Sequence, residues 1–224
     1  MSFQDLIEKE REQRRLYILD AAEALFFERG FTGVTMEEIA KKVGLNKATI
    51  YLYFEDKDSL FFAIVLRKVR ILVEKYEECA RMEVSGREKC RLMGRAYFLF
   101  AKENPAYFRM LCIAGPERFK NTDSPIAKDI MELFGRQVDL MKSALIEGIA
   151  DGTVRDDLDP LEMAAFIGVT TTSIVCPDKN WRHALEAGGI GYDRFVADYF
   201  VFLSNAIDRK DAVRGTPEKD RKAR

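Results

Sequence analysis

The sequence has little of what catalysis usually requires. Its 224 residues contain a single histidine, His183, and lack a Gly-rich phosphate loop, a G-x-S-x-G motif and any cluster at metal-ligand spacing. No paired carboxylates stand out from the many solvated charges. The sequence therefore predicts a protein that is not an enzyme and that needs neither a cofactor nor a metal.

Cysteine and long apolar runs are also scarce. Cys79, Cys90, Cys112 and Cys176 are scattered without a C-x-x-C pair, which disfavours a zinc site and leads us to expect buried thiols. No apolar run approaches the roughly 20 residues of a membrane helix. The N-terminal segment MSFQDLIEKEREQRR is charged, unlike a signal peptide. We therefore expect a cytoplasmic protein.

Charge gives no overall support to nucleic-acid binding. The formal net charge is −1, whereas DNA-binding proteins are often basic, so any basic surface must be local. Hydrophobic residues make up 47% of the chain, which is enough for a core. They follow helical spacing from end to end, which predicts an all-α fold.

The first part of the chain predicts a helix-turn-helix. Apolar spacing, capping residues and glycine stops indicate four helices, over residues 13–30, 36–43, 47–54 and 57–81. In the first, the buried stripe is expected to include Leu16. The tight turn VGLN joins the two short helices, and in DNA-binding proteins the second helix of such a pair enters the major groove. Ile50 and Phe54 are expected to face the core, which leaves Lys47 and Tyr51 outside.

Three motifs make this part of the chain specific. They are A-x-x-L-F-x-x-x-G in the first helix, T-x-x-x-I-A in the second, and I-Y-x-Y-F-x-x-K-x-x-L across the third and fourth. With them, residues 18–65 resemble the N-terminal DNA-binding domain of the TetR family of bacterial transcriptional regulators. The resemblance implies a three-helix helix-turn-helix domain followed by an α-helical ligand-binding and dimerisation domain. The expected divisions are a helix-turn-helix domain over 1–56, a connecting helix over 57–81, the ligand-binding and dimerisation domain over 82–209, and a disordered tail over 210–224.

The resemblance also implies which residues contact DNA. Base-edge contacts are implied for Lys47, Ala48 and Tyr51, and phosphate contacts are implied for Thr35, Thr49, Tyr53 and Lys57. Two residues depart from the family pattern. Leu52 cannot donate a hydrogen bond where relatives often contact the DNA backbone. Glu37 stands where some relatives have a base-reading cation, and phosphate repels its carboxylate unless it accepts from a cytosine amino group.

Two later helices are expected to form a homodimer interface. Small residues at i, i+4 and i+8 of the segment PLEMAAFIGVTTTSIVC let another helix approach closely, and GYDRFVADYFVFLSNAI carries a broad aromatic stripe. The alternative is that both stripes pack only within one chain. The predicted interface residues are Ala164, Gly168, Thr172, Phe195, Tyr199 and Phe202.

The central helices are rich in methionine and aromatic residues. Such side chains are suited to lining an apolar cavity, although they are also ordinary core residues. They favour a small hydrophobic or aromatic effector, and the predicted effector-binding residues are Tyr97, Phe98, Tyr107, Phe108, Met110, Phe134, Met141 and Phe166.

Together these features predict a ligand-responsive transcriptional repressor. It is expected to bind a near-palindromic double-stranded DNA operator as a homodimer, and to release it when an effector changes the separation of the recognition helices. The alternative is a helical protein-interaction module without specific DNA binding. Only the regulator predicts salt-dependent binding to a short duplex.

Overall fold

The protein is all-α, as predicted. The computed structural model describes residues 2–114, 123–177 and 179–209. Within these ranges the backbone forms ten helices and no β-strand, with an isolated bridge between Val154 and Asp208. The helices are α1 Phe3–Arg29, α2 Met36–Lys42, α3 Lys47–Tyr51, α4 Lys57–Ala80, α5 Gly86–Glu103, α6 Pro105–Ala114, α7 Pro125–Ala150, α8 Pro160–Val175, α9 Lys179–Ala187 and α10 Tyr192–Ile207.

Helix α1 begins ten residues before its predicted start. Ser2 and Asp5 form a capping box, in which each side chain accepts a hydrogen bond from the other residue's backbone N–H. Leu16, expected on the buried stripe, is 41% exposed. The first fully buried residue of α1 is Ile18, and of the residues before it in the helix Arg15 is half-buried, with its guanidinium 5.1 Å from the centre of the Phe54 ring.

Two further boundaries differ from the predictions. Helix α3 ends at Tyr51 instead of Phe54, because the N–H groups of Leu52 and Tyr53 bond to carbonyl oxygens three residues back. Helix α9, which contains His183, is not among the predicted helices. The glycines there come after the helix, where Gly189 has a φ of 70° that favours glycine.

The chain divides into two compact units. The first comprises Met1–Glu78 with Arg95–Gln137, and the second comprises Cys79–Gly94 with Val138–Arg224. The predicted division near residues 56 and 81 concerns functional domains and stays a prediction. The predicted tail lies outside the described residues. Among those residues, no single helix is long and apolar enough to cross a membrane, and one bent helix pair passes that test on length and composition.

Aromatic rings and aliphatic side chains form the core of the first unit. Ile39 and Ile50 are fully buried, and α2 contacts both α1 and α3. The ring of Phe31 lies 5.3 Å from that of Phe26 and 5.5 Å from that of Phe61, measured between centroids. This core holds the helix-turn-helix in one orientation.

In the second unit, Arg87 links the start of α5 to the end of α10. Its guanidinium forms a two-pronged ion pair with Asp208, with 2.8 Å between Nη2 and Oδ2, and also donates to the Ser204 hydroxyl at 2.9 Å. Cys90 is buried nearby, and desolvation raises the pKa of its thiol to about 12. The expectation of a thiol is wrong for Cys176, which is disulfide-bonded.

Candidate DNA-binding surface and effector site

The three predicted base-edge residues lie together on the exposed side of α3. Lys47, Ala48 and Tyr51 are exposed, whereas Ile50 and Phe54 are buried as predicted. The Lys47 ammonium lies 5.9 Å from the centre of the Tyr51 ring, within the range of a cation–π contact. The arrangement suits a surface that reads base edges, and each DNA contact remains a prediction.

The hydroxyls of the two predicted phosphate-binding threonines already bond within the N-terminal caps of α2 and α3. The Thr35 hydroxyl donates to the Glu38 carboxylate at 3.0 Å and accepts from the Glu38 N–H, while the Thr49 hydroxyl donates to Asn46 Oδ1 at 2.9 Å. A hydroxyl has a single proton to donate. A phosphate contact from either threonine therefore requires that proton to leave its capping bond.

Lys57 connects α4 to the turn between α1 and α2. Its ammonium donates to the carbonyl oxygens of Phe31 at 2.9 Å and Val34 at 3.0 Å, and lies 4.3 Å from the centre of the Phe31 ring. These bonds use two of the three N–H donors. Lys57 thus has a structural role that sequence reasoning missed, and its predicted phosphate contact depends on the third donor. Tyr53, the remaining predicted phosphate contact, is half-buried.

Glu37 and Lys47 form an ion pair between α2 and α3. The Lys47 ammonium donates to the Glu37 carboxylate, which lowers the pKa of Glu37 and raises that of Lys47. Both side chains are well exposed, at 60% and 48%. Sequence reasoning identified both residues but not their pairing, because ten positions separate them and the turn between the helices decides their distance.

Arg29 fixes the start of α2. Its guanidinium donates to the Glu38 carboxylate and to the Gly33 carbonyl oxygen, both at 2.7 Å. The Arg29 hydrogen bond, assisted by those from Thr35, lowers the pKa of Glu38 to about 2. Glu38 therefore stays ionised at any physiological pH, and the capping box of α2 stays formed.

Part of the predicted effector set forms one aromatic cluster in the first unit. The rings of Tyr97 and Phe108 are 5.5 Å apart, those of Tyr107 and Phe108 are 5.2 Å apart, and both pairs pack edge to face. Phe100, which the predicted set omitted, lies 6.0 Å from Tyr107. Desolvation raises the pKa of Tyr107. Met110 and Met141 are also buried, while Phe98 and Phe134 are half-buried.

Phe166 does not belong with this buried set. It is 62% exposed on α8, because the buried face of that helix is formed by Met163, Ala164 and Ile167. Its predicted contact with an effector stays a prediction. The sequence of α8 did not indicate this exposure, because the helix has apolar residues on every side and its periodicity does not distinguish core from surface.

The predicted interface residues divide between surface and core. Gly168, Thr172 and Phe202 are exposed, with Phe202 at 71%, and Phe195 is half-buried. Ala164 is only 4% exposed, and the buried Tyr199 donates to or accepts from the Thr170 and Thr171 hydroxyls at 2.7 and 2.8 Å.

Ala164 and Tyr199 are thus covered within one chain, and their place in a dimer interface stays a prediction. Steps of four residues turn about 40° around a helix of 3.6 residues per turn, so the row from Ala164 to Thr172 passes from core to surface. The exposed face that sequence reasoning missed includes Phe166, Val169 and Val201.

The second unit also contains a cleft between α5, α8 and α10. Cys90, Gly94, Ile167 and Phe200 are among its lining residues. None of the predicted effector residues lines it. Among the described residues, no group of three or more His, Cys, Asp or Glu is placed to hold a metal ion.

Comparison with known proteins agrees with this architecture. Residues 18–64 match the family model described as bacterial regulatory proteins, tetR family. The HTH-type transcriptional activator FasR of Mycolicibacterium smegmatis is 31% identical over 209 residues, covering 92% of this chain and 80% of that protein. The fatty acid metabolism regulator protein of Bacillus subtilis is 26% identical over 152 residues, covering 67% of this chain and 76% of that protein.

A solved structure shows the same fold. The transcriptional regulator FadR from Bacillus subtilis, in complex with stearoyl-CoA, superposes with a TM-score of 0.63 at 23% identity, covering 86% of this chain and 98% of that one. Its likeness extends well beyond the helix-turn-helix. From the matched motif and the similarity along almost the whole chain, this protein belongs to the TetR family of bacterial transcriptional regulators.

Proposed function

We propose that this ligand-responsive transcriptional regulator is a homodimeric repressor in the cytoplasm, released from a near-palindromic operator by a fatty acyl thioester. The observation that carries its DNA binding is the exposed group Lys47, Ala48 and Tyr51 on a helix whose opposite side is fixed by fully buried Ile50. A short helix held in this way presents its outer side chains rigidly to a major groove.

Exposed apolar side chains on α8 and α10 support the homodimer. Phe166, Val169, Val201 and Phe202 are each more than half exposed, and such residues on neighbouring helices are typical of a protein–protein interface. Gly168 adds to this surface, since a Cβ built on it would meet nothing within 4 Å. Two copies of the chain place two recognition helices on one duplex, which a near-palindromic operator requires.

The relatives narrow the predicted effector class from hydrophobic or aromatic molecules to acyl thioesters. One relative is named a fatty acid metabolism regulator, and a similar structure holds stearoyl-CoA. In this chain the support is the group of buried and half-buried apolar side chains on α5 and α6. Methionine and aromatic side chains of this kind adapt to an acyl chain.

If the protein is a repressor that its effector releases, the effector lowers its affinity for the operator. A coupling free energy of about 1–3 kcal/mol, typical of allosteric proteins, corresponds to roughly 5- to 150-fold weaker binding. The relative named as an activator favours a second candidate, in which the regulator promotes transcription. Transcription from the operator-bearing promoter, measured in vitro with and without the protein, distinguishes the two.

A fluorescence-anisotropy titration tests DNA and effector binding together. The probe is the duplex upstream of the protein's own coding region, titrated at two salt concentrations with and without stearoyl-CoA. We expect salt-weakened binding that resists unrelated competitor DNA and that stearoyl-CoA reduces. Tyr51→Ala is expected to abolish this specific binding. Tyr17→Ala, which changes an exposed tyrosine of α1, serves as the matched control.

Equal affinity for unrelated DNA in the wild type and in Tyr51→Ala would reject the recognition surface and favour the interaction-module alternative. Specific binding that stearoyl-CoA leaves unchanged would reject the acyl thioester alone.

A further inference from the structure

The ion pair between Glu37 and Lys47 has no evident structural purpose. Both partners are well exposed, and exposed ion pairs add little to folding stability. Lys47 also begins α3, where the positive end of the helix dipole disfavours a cation. The pair therefore calls for an explanation other than the stability of the helix-turn-helix.

Its position is on the surface that faces DNA under the proposed function. Glu37 is in the first turn of α2, Lys47 is the first residue of α3, and the ammonium also approaches the exposed ring of Tyr51. The carboxylate and the ammonium thus lie side by side among the residues expected to meet base edges. A lone carboxylate at this place would repel phosphate, but Lys47 neutralises it.

The pair presents an acceptor next to a donor. In the major groove, a G·C pair presents the complementary pattern, with the cytosine N4 amino group as donor next to the guanine O6 acceptor. After donating to Glu37, the Lys47 ammonium retains donor capacity for O6 or N7. An A·T pair also has a donor and acceptors, but its thymine methyl group would contact and desolvate the ion pair.

We propose that Glu37 and Lys47 act as one unit that specifies a G·C base pair in each operator half-site. This rests on the proposed function. Glu37 accepts from cytosine N4, and the same carboxylate positions Lys47 to donate to guanine. Glu37 is thereby a specificity-determining residue, and its unusual carboxylate on a DNA-facing surface has a chemical reason.

Selection of duplexes from a random-sequence library tests this assignment even though the operator sequence is unknown. The wild-type protein is expected to enrich a near-palindromic motif with one strongly preferred G·C pair at symmetric positions. Glu37→Gln is expected to change the preference at that position alone, towards A·T, because a glutamine amide matches adenine N6 and N7. Discrimination of about 5- to 150-fold between the two base pairs is expected to be lost or inverted.

Glu28→Gln is the matched control, because it makes the same change in charge at an exposed residue of α1. It is expected to enrich the wild-type motif. Circular dichroism of Glu37→Gln should show the helical content and melting temperature of the wild type, as expected for an exposed side chain.

The outcomes separate the two proposals. A wild-type motif that Glu37→Gln reproduces at every position overturns the paired readout and leaves the proposed function standing. A uniform loss of affinity with unchanged base preferences also overturns it, since Glu37 would then act only through the fold or the local field. A wild-type protein that enriches no motif overturns both.

Discussion

Gly86 of α5 and Gly148 of α7 meet with no room for a side chain. A Cβ built on Gly86 would lie 2.0 Å from the Gly148 backbone nitrogen and 2.3 Å from the Ala144 carbonyl oxygen. Both of these atoms belong to backbone, so no side-chain rotation relieves the clash. The start of α5 therefore requires glycine for steric reasons.

Gly86→Ala is accordingly expected to destabilise the protein by about 1–3 kcal/mol or more, as overpacking does. Gly135→Ala, on the same α7 as Gly148, is the control, because a Cβ there meets nothing within 4 Å. Removing a glycine from a helix interior should stabilise by about 0.5–1 kcal/mol. The urea midpoint, followed by circular dichroism, should thus fall for Gly86→Ala and rise for Gly135→Ala. An unchanged midpoint for Gly86→Ala would contradict the packing described for α5 and α7.

Lys57→Met tests whether Lys57 serves the fold or contacts a DNA phosphate. Losing the ammonium leaves the part-buried carbonyl oxygens of Phe31 and Val34 without this donor, which should cost about 1–3 kcal/mol of unfolding free energy. Lys41→Met, at an exposed position of α2, should leave stability unchanged. A lysine that serves DNA alone would instead leave the urea midpoint unchanged and lower the salt dependence of operator binding by about one phosphate contact.

The low pKa of Glu38 predicts a stability difference that depends on pH. Its carboxyl titrates at about 2 in the folded protein and at its ordinary value near 4.5 when unfolded. The stabilisation is therefore complete above pH 4.5 and is lost as the pH falls from 4.5 through about 2. Glu38→Gln should be less stable than the wild type at pH 7, and the gap should narrow across that window.

Thermal melts from pH 7 down to pH 2 measure this gap. Arg29→Met should show the same pH dependence: it should be less stable than the wild type at pH 7, and this difference should also narrow as the pH falls. The reason is that the Arg29 hydrogen bond is the largest cause of the low pKa of Glu38. A gap between wild type and Glu38→Gln that is constant over the whole range would show that Glu38 does not titrate as described.

Phe202→Glu is expected to weaken the proposed homodimer without unfolding the chain. Phe202 is largely exposed, so the charge costs little within one chain, but it would be buried and unpaired between two copies. Loss of a buried aromatic contact typically costs about 2–4 kcal/mol, or roughly 30- to 1000-fold in the dissociation constant. Met131→Glu introduces the same charge at an exposed residue of α7. Sedimentation equilibrium that gives equal dimer constants for both variants would place the interface elsewhere.

Local patterns predicted the helix-turn-helix closely but not how its side chains are used. The capping box of Thr35 and Glu38 and the helix starts at Met36, Lys47 and Lys57 are confirmed, because Thr35, Asn46 and Asp56 act on residues within one turn. The inward bonds of Lys57 depend on carbonyl groups more than 20 positions away. Contacts of that kind are set by packing, which periodicity does not describe.

Which faces of the later helices are buried was also difficult to predict, because packing decides this as well. In α8, residues such as Ala164 and Phe166 are both apolar and two positions apart, yet one is buried and the other exposed. The helical pattern gives no preferred face there, since the tertiary neighbours of α8 decide which side is covered. Tyr199 is likewise buried where its hydroxyl bonds to threonines of a different helix.

Because the start of α1 is largely exposed, a small rotation of this helix displaces its N-terminal end by a larger distance. Its 27 residues correspond to about 40 Å of rod, and about 22 Å of this precedes the first fully buried residue, Ile18. A 10° rotation of the helix about Ile18 moves its far end by about 4 Å by simple leverage on that length. A spin label in place of exposed Phe3 would convert a small reorientation of the DNA-binding helices into a displacement large enough to follow in solution.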